Sequence, residues 1–196
     1  MDKKYQIIYA DPPWKYNINR GRGVAENHYE TMGTEEICNL PICEMTEKDA
    51  VLFLWITFPQ LPEAFQVIKA WGFTYKTVAF IWVKQNKSGK GFFFGLGHWT
   101  RSNAEICLLA VKGHPKRNSN KVFQLIVSPL EGHSKKPEEV RRRIVELMGN
   151  QSRLELFARQ ESPGWDIWGN EVSSSSEVYE KLKGKEEPEN NERESY

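Results

Sequence analysis

The chain has 196 residues, 39% hydrophobic and 27% charged, a composition of soluble globular proteins and one with room for a sizeable core. Its net charge of +1 conceals a split, because residues 173–196 hold seven Glu against four Lys and Arg and are −3, leaving +4 on residues 1–172. That balance permits a nucleic-acid partner without demanding one, and no apolar run approaches the ~18 residues of a membrane span, so a membrane partner is excluded.

In chain order, the pattern predicts strands over Tyr5–Ala10, Ala50–Thr57, Thr77–Lys84, Glu105–Lys112, Val122–Val127 and Arg153–Ala158. Runs such as "VLFLWI" and "CLLAV" are continuously apolar, as in strands covered on both faces. A short helix is expected over Thr34–Leu40. In "QLPEAFQVIKAWG", Leu61, Phe65, Ile68 and Trp71 share a face and Gly72 ends the helix. In "KPEEVRRRIVELMG", Pro137 and acids open a helix, Val140, Ile144 and Leu147 align, Gly149 stops it, and "RRR" at 141–143 reads as a solvated face. Alternating strands and helices predict a three-layer α/β fold. One domain over 1–172 is expected, with 173–196 an unstructured acidic tail. Cys38, Cys43 and Cys107 are an odd set without a signal peptide. They read as buried thiols of a reduced, cytoplasmic protein, with no metal site.

Two long connections stand out. Residues 15–30 follow the first strand. Residues 85–103, "QNKSGKGFFFGLGHWTRSN", hold four glycines among basic and aromatic side chains, more loop than a compact fold needs. Lys84, Lys87, Lys90 and Arg101 lie in 84–101 without an acid, interleaved with Phe92, Phe93, Phe94 and Trp99. Cations can track phosphates and aromatic rings can stack on unpaired bases. The Phe triplet reads equally as a plug in the core. The basic stretch "KGHPKRNSNK" at 112–121 extends the charge.

The sharpest local signal is "IIYADPPWKY" at 7–16. In open α/β sheets ligands gather at the carboxyl ends of strands, and Asp11 stands at such an end. Pro12 and Pro13 have fixed φ and no N–H, so they present carbonyl acceptors and hold Asp11 and Trp14 in set directions. A plain turn is the competing reading. An acceptor pocket beside an aromatic ring suits an amine on a nucleobase. Hydrogen bonds from both amine N–H groups, to the Asp11 carboxylate and the Pro12 carbonyl, favour a pyramidal nitrogen whose lone pair can attack a methyl carbon. A base in a duplex cannot reach such a pocket unless it is flipped out.

Five blocks then carry a resemblance: "ADPPW", "HYETM" at 28–32, "GHWTRSNAEICLLAVKG" at 97–113, "SKKPEEV" at 134–140, and "RLELFAR" with "GWDIWGNE" to residue 171. Together they resemble the MT-A70 family of adenine N6-methyltransferases that use S-adenosyl-L-methionine. The resemblance implies a Rossmann-like methyltransferase sheet with helices on both faces and a permuted motif order, the catalytic motif early and the cofactor site late. It implies that Asp11, Pro12, Pro13 and Trp14 are the catalytic tetrapeptide. Tyr29, His98 and Trp99 then face the substrate, and Lys136 meets the methionine carboxylate of the cofactor. Phe157 and Arg159 flank the cofactor, and Asn170 and Glu171 contact ribose hydroxyls. Some relatives carry an acid-bearing strand well upstream, whereas ten residues precede Asp11 here. Some also carry His and Asn shortly after the late-strand arginine, in the neighbourhood where Glu161 and Ser162 stand. No G-x-G-x-x-G occurs, against a dinucleotide fingerprint or a P-loop. The compact chain resembles a bacterial or phage enzyme acting on DNA rather than RNA, alone, as a homodimer or with a partner subunit. A non-catalytic nucleic-acid-binding partner of the same fold and a small-molecule N-methyltransferase are the competing readings.

Overall fold

The computed structural model describes residues 3–15, 31–97, 99–132 and 135–183. The elements are β1 (Tyr5–Ala10), α1 (Thr34–Asn39), α2 (Ile42–Met45), β2 (Thr46–Ile56), α3 (Leu61–Ala70), β3 (Thr74–Gln85), β4 (Glu105–Lys112), β5 (Leu125–Pro129), α4 (Glu139–Met148), β6 (Arg153–Leu156), β7 (Asp166–Trp168) and α5 (Ser176–Lys183). Seven strands form one sheet in the order β5-β3-β4-β2-β1-β6-β7. β4 runs antiparallel to β2 and β3, and the other pairings are parallel.

This topology places the site. β1 lies between β2 and β6, with Ala10 level with Leu54 on one side and Leu156 on the other. The chain leaves β1 towards β2 and returns much later to β6, so Asp11 emerges at the point where strand order reverses, where α/β sheets bind ligands. The permuted order takes physical form here, because an early strand and a late one flank a single crevice.

Both faces of the sheet are covered, as the apolar strands require. Ile8, Ala10, Leu52 and Leu54 pack on the face covered by α1, α2, α3 and α5. Ile7, Tyr9, Phe53 and Trp55 point the other way, towards Val140, Ile144 and Met148 of α4. Gly72 closes α3 at φ 79°, a backbone shape that disfavours side chains.

Several expectations change. β2 starts at Thr46, because its polar opening "TEKD" hides a ladder that backbone pairing extends. Asp166–Trp168 is a strand too short for periodicity to reveal. Residues 173–196 are not wholly an unstructured tail. Ser176–Lys183 is helical, and Val178 and Leu182, four apart, bury against the first core face. Residues 184–196 lie outside the described residues. Phe65 is exposed on α3 and meets Tyr75 edge-on at 5.2 Å. The "RRR" run is not a solvated face. Arg141 is buried in a forked bond to Glu155, and Arg143 donates to the carbonyls of Phe123, just before the edge strand, and Leu125, at its start, leaving Arg142 in solvent. Cys107 is buried, but Cys43 is exposed. No described helix is long and apolar enough to cross a membrane.

Candidate active site

Asp11 leaves the end of β1 between two stiff prolines and a clamp. The Trp14 N–H donates to the Pro12 carbonyl at 2.9 Å, closing a tight turn and leaving that oxygen a second lone pair. Met32 N–H donates to the Pro13 carbonyl at 2.8 Å, and Lys15 N–H donates back to Met32 at 3.0 Å. Residues 13–15 are thereby tied to Met32. Trp14 does not form an aromatic wall for a ligand. Its ring is 5% exposed inside the core, and its indole N–H donates to the Trp55 carbonyl at 3.1 Å. An indole that buries its ring must still satisfy its donor, so Trp14 anchors the turn that aims Asp11.

Three side chains form an ionic chain behind Asp11. Lys136 Nζ lies 2.7 Å from Asp11 Oδ2 and 3.3 Å from Glu105 Oε2, over the Trp55 ring at 5.6 Å. Lys84 Nζ lies 2.5 Å from the other Glu105 oxygen. Burial lifts the Asp11 carboxyl above its ordinary value, with Lys136 pulling the other way. Burial also opposes the Glu105 charge, but Lys136 and Lys84 outweigh it and hold that carboxyl low. Lys136 is held above its ordinary value because Asp11 and Glu105 together outweigh its burial. Asp11 is thus a poised acid, accepting from one ammonium while facing an open cleft.

That cleft, about 180 Å³, is lined by Asp11, Pro13 and Met32 on one side and by Phe157, Ala158, Arg159, Trp168, Asn170 and Glu171 on the other. Phe157 is, among the described residues, the one non-glycine residue at positive φ, 62°. Such a residue is held in strain by its surroundings and commonly marks a site. Its ring meets Trp168 edge-on at 5.2 Å. Gly169 lets the two strand ends close, since a Cβ there would lie 2.2 Å from the Ala158 carbonyl. Arg159 reaches across to Glu171 at 3.7 Å. The arrangement offers an apolar shelf, a carboxylate and amide able to bind a diol, and Asp11 at the far end.

The predicted residues therefore divide. Asp11, Pro13, Phe157, Arg159, Asn170 and Glu171 converge on one cleft, whereas Pro12 is buried and absent from its lining. Lys136 is absent from that lining and stands instead as the ion-pair partner of Asp11. Lys84 is not free for phosphate, because Glu105 holds it in a half-buried pair. Lys87, Lys90 and Arg101 are exposed on the β3–β4 loop with Trp99. Phe92 and Phe94 are exposed there too, so the triplet is no core plug. Tyr29 and His98 lie outside the described residues. The stretch 113–121 leaves β4 level with Ala50, at the end of the sheet where β1 and β2 begin, away from Asp11. Reasoning from sequence missed Met32, Trp168 and above all Glu105. An acid at the mouth of an apolar strand, the signal that singled out Asp11, was also present in "EICLLAV".

The comparisons with known proteins bear on this geometry. Residues 5–171 match the family model described as MT-A70. The chain is 34% identical over 190 residues to the Type II methyltransferase M.MunI of Mycoplasma sp, covering 87% of this chain and 78% of that protein. It is 31% identical over 185 residues to the N(6)-adenosine-methyltransferase MT-A70-like of Arabidopsis thaliana, and 31% over 173 residues to the N(6)-adenosine-methyltransferase catalytic subunit METTL3 of Homo sapiens. It spans only 26% and 28% of the lengths of those two.

Proposed function

The chain belongs to the MT-A70 family, and from that premise we propose that it transfers a methyl group to the N6 amine of adenine in DNA, with Asp11 as the catalytic acceptor. The family consists of adenine N6-methyltransferases that use S-adenosyl-L-methionine. The cleft residues fit that cofactor. Glu171 and Asn170 can accept from and donate to a ribose diol, the Phe157–Trp168 shelf can take a flat or apolar portion, and Arg159 adds a cation. When bound, the cofactor supplies an electrophilic methyl group on a sulfonium.

The protein's own residues do the rest. Asp11 and the Pro12 carbonyl accept the two amine hydrogens and orient the nitrogen lone pair. Lys136 opposes the effect of burial on the Asp11 carboxyl, and Trp14 holds the turn in place. Lys136 has three N–H donors, and Asp11 and Glu105 already stand within reach of two of them. In this reading it also meets the cofactor's carboxylate, as the family resemblance implies. Lys87, Lys90 and Arg101 are the phosphate contacts in this reading, with Trp99, Tyr29 and His98 on the substrate side.

The convergence of Asp11 with Asn170 and Glu171 across a strand crossover carries the proposal. The likeness to the Type II methyltransferase M.MunI, 34% identical over 78% of that protein, supports DNA as the polymer. Three cysteines without a disulfide accord with action in the cytoplasm. The test is tritiated methyl transfer to matched DNA and RNA oligonucleotides. Transfer to DNA is expected, and its loss in Asp11→Ala with cofactor still bound. Transfer surviving in that variant rejects the role of Asp11, and a preference for RNA reassigns the polymer.

A further inference from the structure

We propose that the tip of the β3–β4 projection is a wedge that enters duplex DNA beside the target adenine, with Leu96 the inserted side chain and Trp99 the platform next to it. This rests on the function assigned above and adds the form of the polymer and the device that opens it.

Leu96 is 80% exposed and Trp99 94% exposed. Two large apolar side chains three positions apart in one loop at that exposure mark a contact surface. The tip is braced rather than slack. Gly95 N–H donates to the Ser102 carbonyl at 2.7 Å, and the Arg101 guanidinium donates to the Phe94 carbonyl at 3.3 Å. The Asn103 side chain ties the stems together, accepting from Lys84 N–H at 2.9 Å and donating to the carbonyls of Lys84, at 2.8 Å, and Phe93. Gly97 sits at φ 64°, and a Cβ there would lie 1.8 Å from the Thr100 carbonyl. That position therefore admits glycine alone, and the bend beside Leu96 is built into the sequence.

The projection is rooted in the catalytic machinery. Its two stems carry Lys84 and Glu105, and Glu105 leads through Lys136 to Asp11 by contacts of 3.3 and 2.7 Å. Residues 86–104 contain Lys87, Lys90 and Arg101 and no acid. A cationic, acid-free loop with an apolar tip fits a polyanion with an apolar interior, the description of stacked duplex DNA. A base that leaves the stack to reach Asp11 opens a gap, and apolar side chains such as Leu fill gaps of this kind in kinked duplexes.

The test measures methyl transfer to one unmethylated plasmid DNA, native and heat-denatured, and reads the ratio of the two. In Leu96→Ala the native-to-denatured ratio is expected to fall about tenfold from that of the unaltered protein. Trp99→Ala is expected to lower it as well, both variants keeping the parent thermal midpoint. An unchanged ratio in both variants overturns the wedge. So does light scattering that shows a dimer in the parent and a monomer in Leu96→Ala, because the tip would then be a subunit contact. Transfer by the parent protein to denatured DNA or RNA alone overturns the wedge and leaves adenine methylation standing. Transfer to no polymer overturns both.

Discussion

Two buried charge clusters sit on the face of the sheet that α4 covers, and they are wired differently. In the first, the Arg141 guanidinium forks onto both oxygens of Glu155, at 2.6 and 2.5 Å, and its remaining arm meets Glu138 at 2.7 Å. The guanidinium also lies 5.7 Å from the centre of the Tyr9 ring. In the second, Lys136 is shared between Asp11 and Glu105, and Lys84 balances the far oxygen. The Arg fork is planar, bidentate and closed to solvent, so its geometry has one solution. An ammonium is a point charge that two carboxylates can divide. Burial pushes both Glu155 and Asp11 above their ordinary values, with the cation opposing it in each case. Only Asp11 of the two lines the cleft. The closed cluster ties α4 to β6, whereas the open one leaves an acid whose charge can be put to use.

The sharpest way to break this contrast is to remove each cation. Arg141→Met leaves Glu155 buried without its partner and is expected to cost about 3–5 kcal/mol in urea unfolding. A loss under about 1 kcal/mol, the scale of an exposed pair, would show that the fork does not hold the fold. Lys136→Met is expected to act mainly on the reaction. Lys136 is the charge that lowers Asp11 against its burial. Without it, the Asp11 carboxyl rises further and the acid limb of kcat/KM against pH moves to higher pH. The stability linkage has the same sign. A carboxyl raised in the folded state loses stabilisation as pH rises, so the gap in melting temperature between Lys136→Met and the parent is expected to widen from acid towards neutral pH. A limb that stays in place separates Lys136 from Asp11.

Two smaller effects sharpen the division between the cleft and the loop. Glu171→Ala removes the carboxylate opposite Arg159 and is expected to weaken cofactor binding about tenfold by calorimetry, the worth of a hydrogen bond to a charged group. Turnover at saturating cofactor should change little. Lys90→Ala is expected to lower the slope of log K against log salt for DNA by about one and to leave cofactor affinity alone. An unaltered slope removes Lys90 from the phosphate track.

Much of this molecule was legible in its residues, and the reasons are local. Tyr5–Ala10 and Glu105–Lys112 are built on the apolar runs "IIYA" and "ICLLAV", and both strands have those bounds in the structure. Gly72 and Gly149 close α3 and α4, since each sits at positive φ where glycine is favoured. What stayed hidden depends on partners distant in sequence. The three residues of β7 are a strand because β6 pairs with them. α5 is ordered because Val178 and Leu182 find the core, although charge dominates its sequence. Arg141 and Arg142 are adjacent and chemically identical, yet one is buried on Glu155 and the other lies in water. Helix rotation decides between them, and composition has no access to it.

The order of apolar runs, prolines and glycines was enough to set the α/β class and to put an acid at a strand tip, because these are properties of the backbone and its nearest neighbours. Which charges that acid would meet was settled by the fold. Asp11 and Lys136 are brought to 2.7 Å across 125 positions of chain, and Asn170 and Glu171 join the same cleft because β1 pairs with β6 and β6 with β7. Strand order is a collective outcome of burying both faces of the sheet at once, and no local stretch of residues encodes it alone.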